Sequence, residues 1–211
     1  MKKIKWIFFD IGYTLVNEDD IWNNRIKETI KIAKNEGKDL THEQIYNAVL
    51  DAASKYQTQA RTAAKNLGIS KFADYCPEYE VLYPNVELVL SELKKNYKLG
   101  VIANQCEDLY GRLDKLHIAK YFDLIVSSHD VKLEKPDKRI FYLALEQANC
   151  LAEEAIMIGD RLDNDVAPAN ELGFKTVRIK QGIGRVQEPL NDFAVPTYTV
   201  YSVEELLRIF K

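Results

Sequence analysis

The sequence predicts a doubly wound parallel α/β sheet, interrupted after its first strand by a helical insert. Three observations lead there. A hydrophobic strand, Ile4-Lys5-Trp6-Ile7-Phe8-Phe9, stops on a carboxylate and opens a turn, Asp10-Ile11-Gly12-Tyr13-Thr14-Leu15. Residues 17–83 then carry helical periodicity and no convincing strand. From Tyr83-Pro84 onward, short apolar strands alternate with amphipathic helices, a pattern that implies parallel pairing through right-handed crossovers. The core is expected from residues 1–16 and 84–211, and the insert from 17–83.

Within the insert, Trp22, Ile26, Ile30 and Ala33 recur every three or four residues and stop near Gly37. Thr41 and Gln44 then form a capping-box pattern ahead of an apolar face of Ile45, Val49, Ala52, Ala53 and Tyr56. A third helical stretch runs over 60–67 to Gly68. In the core, Asn85 suits the N-cap of a helix to residue 95, with Val86, Val89, Leu90 and Leu93 facing inward. Strands follow at 98–103, 124–127, 155–158, 175–179 and 197–200. Helices are expected at 108–116, 138–147, 165–172 (ended by Gly173) and 203–210. Gln181-Gly182-Ile183-Gly184-Arg185 reads as a flexible loop, since two glycines without the full fingerprint do not make a nucleotide site.

Composition narrows the function. Apolar residues at 46% and charged residues at 29% describe a soluble globular chain, and 211 residues suffice for a core plus a small second module. A net charge of −3 without a basic stripe argues against a nucleic-acid partner. The twelve scattered tyrosines fit packing better than base stacking. Three unclustered cysteines (Cys76, Cys106, Cys150) fit a reducing compartment and no zinc site. Asp10 interrupts the first apolar run too early for a signal peptide, and no stretch is long enough to span a membrane, so a cytoplasmic protein with no membrane partner is expected. Nothing in the sequence sets an oligomeric state.

The chemistry-bearing residues cluster at strand ends. Asp10 follows the first strand, Ala103-Asn104 the second, Lys135-Pro136 lies in the loop after the third, and Gly159-Asp160 follows the fourth, with Asp163 and Asp165 just beyond. All four loops should open on one sheet edge, where open α/β sheets bind ligands. Asp10 and Asp160 together can hold a Mg²⁺ ion, a hard cation that prefers oxygen ligands and leaves room for a phosphate. Lys135 adds a positive point charge. Taken singly, Lys135 also suits a solvated loop, Asp160 an N-cap, and Asp163 and Asp165 the first turn of a helix.

In this order the motifs resemble those of the haloacid dehalogenase-like hydrolases. The first is Asp10-Ile11-Gly12-Tyr13-Thr14, the third Lys135-Pro136, and the fourth Gly159-Asp160-Arg161-Leu162-Asp163-Asn164-Asp165. The resemblance covers essentially the whole chain and implies a Rossmann-like core, with the insert as a small helical cap closing over the site. It implies Asp10 as the nucleophile, forming an aspartyl-phosphate. Mg²⁺ would lie on Asp10, Asp160 and the carbonyl of Gly12, and Asp165 would support the metal or hold Lys135. Lys135 would offset charge on the transferring phosphoryl group, and Asn104 would donate to phosphate.

Two positions depart from the family pattern. Gly12 stands where the phosphatases usually carry a second aspartate, the general acid/base, whose loss is worth about 10² to 10⁴ in rate. Ala103 stands where a phosphate-binding serine or threonine is usual. The expected activity is therefore Mg²⁺-dependent phosphohydrolysis or phosphotransfer on a small phosphorylated metabolite, slow unless the leaving group is acidic. The alternatives are a weakly active or inactive binding module, and metal-free 2-haloacid dehalogenation. The last is disfavoured because the tyrosine lies three positions after Asp10, at Tyr13, rather than two. Trp22 reads as core, Arg25 and Arg61 as solvated, and Arg161 as a surface charge.

Overall fold

Trp6–Phe9 forms β1, and its side chains reach two layers because successive Cβ atoms in a strand point to opposite faces. Ile7 and Phe9 join an apolar cluster with Val101, Ile156 and Val177, whereas Phe8 joins another with Ile102, Phe141 and Met157. Burial on both faces is what produces an unbroken apolar run in the sequence. The computed structural model describes residues 3–210, so Met1, Lys2 and Lys211 of the expected core lie outside the described residues.

Beyond the Asp10 turn, Val16–Asn17 (β2) pairs antiparallel with Val81–Leu82 (β3), with Val16 opposite Leu82. No strand was expected within 17–83. Each partner is two residues long, too short for alternation to register in the sequence. Lys98–Ala103 (β4), Leu124–Ser127 (β5), Ala155–Gly159 (β6), Lys175–Ile179 (β7) and Tyr198–Val200 (β8) join β1 in a six-stranded sheet ordered β5-β4-β1-β6-β7-β8. Every pair in it is parallel. The chain builds outward from β1 to β5 on one side, then crosses to β6 on the other. The C-terminal ends of β1, β4 and β6 thus border the point where the winding reverses, and a crevice opens there.

Three helices, Asp19–Asn35 (α1), His42–Ser54 (α2) and Gln59–Leu67 (α3), lie between β2 and β3 and share their own apolar cluster around Ile26, Ile45, Val49 and Ala53. The capping box forms: Gln44 N donates to Thr41 Oγ1 at 3.2 Å, and Thr41 N to Gln44 Oε1 at 2.8 Å. Val86–Lys94 (α4) and Leu109–Lys115 (α5) cover one face of the sheet. A short helix at Ser128–Val131 (α6) leads toward Lys138–Ala148 (α7), which with Ala167–Leu172 (α8) covers the other face. Leu206–Ile209 (α9) returns to the first face.

Several boundaries differ from expectation. Asn85 precedes α4 with φ 61°, and its amide donates to Glu204 Oε1 at 2.9 Å instead of capping the helix. The helix expected from 165 begins earlier as a widened π turn, Leu162–Val166. The one expected at 203–210 is a 3₁₀ turn followed by α9. Segment 181–185 is no loose loop, because Ile183–Val186 forms a 3₁₀ turn with Ile183 buried in the insert's cluster. Gly182, at φ 56°, lies so close to the Tyr13 ring that any Cβ there would collide with it.

Candidate active site

At the crevice, Lys135 is the central charge. Its Nζ donates to Asp10 Oδ1 at 2.7 Å and to Asp165 Oδ1 at 2.5 Å, and the side chain is 2% exposed. Burial alone lowers an ammonium's pKa, but Asp10 and Asp165 more than offset it and hold Lys135 above its ordinary value. Asn104, at the end of β4, fixes the lysine's backbone: Lys135 N donates to Asn104 Oδ1 at 2.7 Å, and Asn104 Nδ2 donates to Lys135 O at 2.8 Å. Both ends of that amide bond Lys135, and Nδ2 keeps a second hydrogen at the cavity wall.

The π turn explains how Asp165 reaches the lysine. Asp165 N and Val166 N both donate to Arg161 O, at 3.1 and 3.2 Å, and the widened turn aims the Asp165 side chain back at the sheet edge. Its second oxygen accepts from Arg161 N at 3.0 Å. Asp160 directly follows β6, is 4% exposed and has no ion-pair partner among the described residues. Gly184 leaves it room, since a Cβ there would run into Asp160 Oδ2. Oxygens of Asp10, Asp160 and Asp165 lie within 4.8 Å of one another.

Burial, with Asp165 and Asp10 nearby, pushes the Asp160 carboxyl well above the usual carboxylate range. Burial also lifts Asp165, to about 6, against the opposing pull of Lys135. Three buried carboxylates thus face a single ammonium, leaving excess negative charge where water is scarce. An all-oxygen, net-negative donor set of this kind fits a hard divalent cation.

A cavity of about 150 Å³ opens over these residues, roofed by the insert through Trp22 and Gln59. Trp22 therefore serves both the insert's core and the crevice. Arg161 was expected at the surface. Instead it folds under the insert, pairs with Asp163 and donates from Nη1 to Gln59 Oε1 at 3.0 Å, because burial against a carboxylate compensates its charge. Asp163 is spent on that pair and on Gln187 Nε2 at 2.9 Å. Arg25 stacks on Trp22 and Phe72, 4.5 and 5.1 Å from their ring centroids, and neither it nor Arg61 lines the crevice.

Glu18, just ahead of α1, is the residue that sequence reasoning missed. Its carboxylate accepts from Tyr75 Oη at 3.0 Å and from Trp22 Nε1 at 3.4 Å, and it lines the same cavity. Burial lifts its carboxyl to about 7, Tyr75 opposes the rise, and Asp10 adds to it. Gly12 is not at positive φ, yet a Cβ there would lie 2.5 Å from Glu18 Oε1. The space a side chain at position 12 would use is already filled by this carboxylate. In the sequence Glu18 looks like one more acid beside Asp19 and Asp20 at a helix start, a placement the helix dipole explains.

Known proteins resemble this chain in sequence and in fold. The glyceraldehyde 3-phosphate phosphatases of Methanopyrus kandleri and Methanocaldococcus jannaschii are 28% and 30% identical to the chain, each alignment covering 99% of it and 97% of the relative. A predicted phosphoglycolate phosphatase of Haemophilus somnus, 18% identical with both chains fully covered, has the same fold at a TM-score of 0.72. The family model described as haloacid dehalogenase-like hydrolase matches residues 7–179, a span that takes in the Asp10 turn, Lys135 and the Asp160 loop, and the chain belongs to that family.

Proposed function

We propose that the chain is a Mg²⁺-dependent phosphohydrolase of small phosphate esters, working through an aspartyl-phosphate on Asp10. The observation that carries this reading is the buried trio of Asp10, Asp160 and Asp165 around one lysine, in a cavity of about 150 Å³. A space of that size suits a phosphoryl group with only a few carbons, in keeping with the nearly full-length relatives named for glyceraldehyde 3-phosphate. Helices α1–α3, within 17–83, act as the cap that selects the substrate. No described helix is long and apolar enough to cross a membrane, and a cytoplasmic setting belongs to the same proposal.

Asp10, Asp160 and the Gly12 carbonyl would hold Mg²⁺. When bound, the ion would offset phosphate charge. Lys135 orients the Asp10 carboxylate through its 2.7 Å bond and counters charge spread over the transferring group. Asp165 keeps Lys135 in place, and Asn104 fixes the lysine's backbone. Metal-free dehalogenation has less support, because it leaves Asp160 with no charge to balance it.

The test is hydrolysis of p-nitrophenyl phosphate, acetyl phosphate, glyceraldehyde 3-phosphate and a panel of sugar and nucleoside monophosphates, each in Mg²⁺ and in EDTA. Mg²⁺-dependent phosphate release is expected. No release above background on any compound would turn the reading toward a binding module.

Stability should report the same site. The folded-state carboxyls of Asp160 and Asp165 are raised, so their protonation stabilises the metal-free protein at low pH, and the Asp165 share of that stability is lost as pH rises through about 6. Mg²⁺ should therefore raise Tm little at pH 5 and much more at pH 7.5. At a hundredfold excess over Kd the gain is about 2.7 kcal/mol. An equal Mg²⁺ effect at both pH values, read by differential scanning fluorimetry, would argue against the carboxylates as ligands.

A further inference from the structure

We infer that Glu18 is the general acid and base of this site, supplying from the start of the insert the carboxylate that Gly12 cannot. The inference rests on the phosphohydrolase reading above. Its basis is geometric: Glu18 Oε1 lies 2.5 Å from where a Cβ of residue 12 would stand, and Glu18 lines the cavity that holds Asp10. The carboxylate is held on both oxygens, by Tyr75 at Oε1 and Trp22 at Oε2. It is therefore positioned and not a free surface acid.

The partners also account for a proton. Tyr75 Oη lies 3.0 Å from Glu18 Oε1 and 2.9 Å from Glu80 Oε1, and a phenol carries one hydrogen for two carboxylates. Glu80 Oε1 also forms a buried ion pair with Arg112 Nη1 at 2.5 Å. Glu18 has no ion-pair partner among the described residues, so of the two carboxylates it is the one placed to carry a proton of its own, and burial lifts it to about 7.

In the first step an Asp10 oxygen attacks phosphorus, the P–O bond to the leaving group breaks, and its electron pair takes the proton from Glu18 to give the free alcohol. In the second step the Glu18 carboxylate accepts a proton from water as that water's oxygen bonds phosphorus. The bond to Asp10 breaks, leaving hydrogen phosphate, a free Asp10 carboxylate and a protonated Glu18, so the cycle closes.

Glu18→Gln tests this, since it keeps the shape and the Tyr75 contact. With the fastest alkyl phosphate of the panel, turnover should fall by about 10² to 10⁴. With p-nitrophenyl phosphate, whose leaving group needs no proton, the variant should show a stoichiometric burst of nitrophenolate followed by slow turnover. A merely structural role would slow both phases alike and give no burst. The double variant Gly12→Asp/Glu18→Ala clears the collision and returns a carboxylate to the same space from the other side. It should recover at least tenfold over Glu18→Ala on the alkyl ester, while Gly12→Asp alone should not exceed wild type.

Alkyl-ester turnover within about threefold of wild type in Glu18→Gln would overturn the inference and leave the hydrolase reading standing. So would a wild-type chain that cleaves acetyl phosphate through Asp10 but no alkyl ester. A wild-type chain that releases phosphate from nothing would overturn both.

Discussion

Asp10→Asn is expected to yield a folded protein whose phosphate release falls by at least about 10⁴-fold, because an amide oxygen is a poor nucleophile in the same place. The substitution keeps the side chain's shape, and the amide oxygen can still accept from Lys135 Nζ. It also removes one of three carboxylates that crowd within 4.8 Å. Stability in EDTA should therefore be unchanged or slightly higher, while the Mg²⁺-induced rise in Tm shrinks. Steady-state phosphate release and a thermal melt on the same preparation check both halves. Wild-type activity in this variant would exclude a covalent intermediate on Asp10, whatever the substrate.

Lys135→Met should damage stability as well as turnover. The lysine is the only cation paired with Asp10 or Asp165 among the described residues, and a similar-sized apolar side chain leaves both carboxylates buried without it. Breaking a buried pair from one side costs about 3–5 kcal/mol. The ammonium is held above its ordinary pKa, so its contribution is fully present at neutral pH and is lost only in strongly alkaline solution. Urea unfolding in EDTA should show the full loss at pH 7.5 and a smaller one at pH 5, below the value of about 6 at which Asp165 loses its proton. Mg²⁺ should restore part of the stability but little of the activity. A variant as stable as wild type at pH 7.5 without metal would mean that the trio is not charged as described.

The sheet and most of its helices were legible in the sequence because each rests on local patterning. The run from Trp6 to Phe9 is apolar because both faces are covered, and it stops on Asp10 because the sheet edge is where charge is tolerated. Lys135 and Asp160 could be linked to Asp10 because strand ends in a parallel sheet share an edge. The π turn at Leu162–Val166 could not be foreseen, since its widening goes with a contact between Asp165 and a lysine 30 residues away. Arg161 and Ile183 were misplaced for a related reason. Their burial depends on the insert folding over them, which no local window of sequence contains. Glu18 shows the limit most clearly, because its meaning comes from a glycine six residues earlier and a tyrosine 57 residues later.

The pairing of β2 with β3 has a consequence for how such a chain can change over generations. With Val16 opposite Leu82, the two points where the insert leaves and rejoins the rest of the chain are roughly 5 Å apart, the distance between paired residues in an antiparallel ladder. A short turn could bridge that gap, so an insert of any size can be exchanged there without disturbing the order of the sheet. The lining that the insert gives the crevice, Trp22 and Gln59 here, can then change while Asp10, Lys135 and Asp160 stay where the sheet holds them. In this chain the separation is incomplete at one position. Glu18 lies one residue past the paired segment, so a new insert would replace this carboxylate together with the helices that roof the cavity.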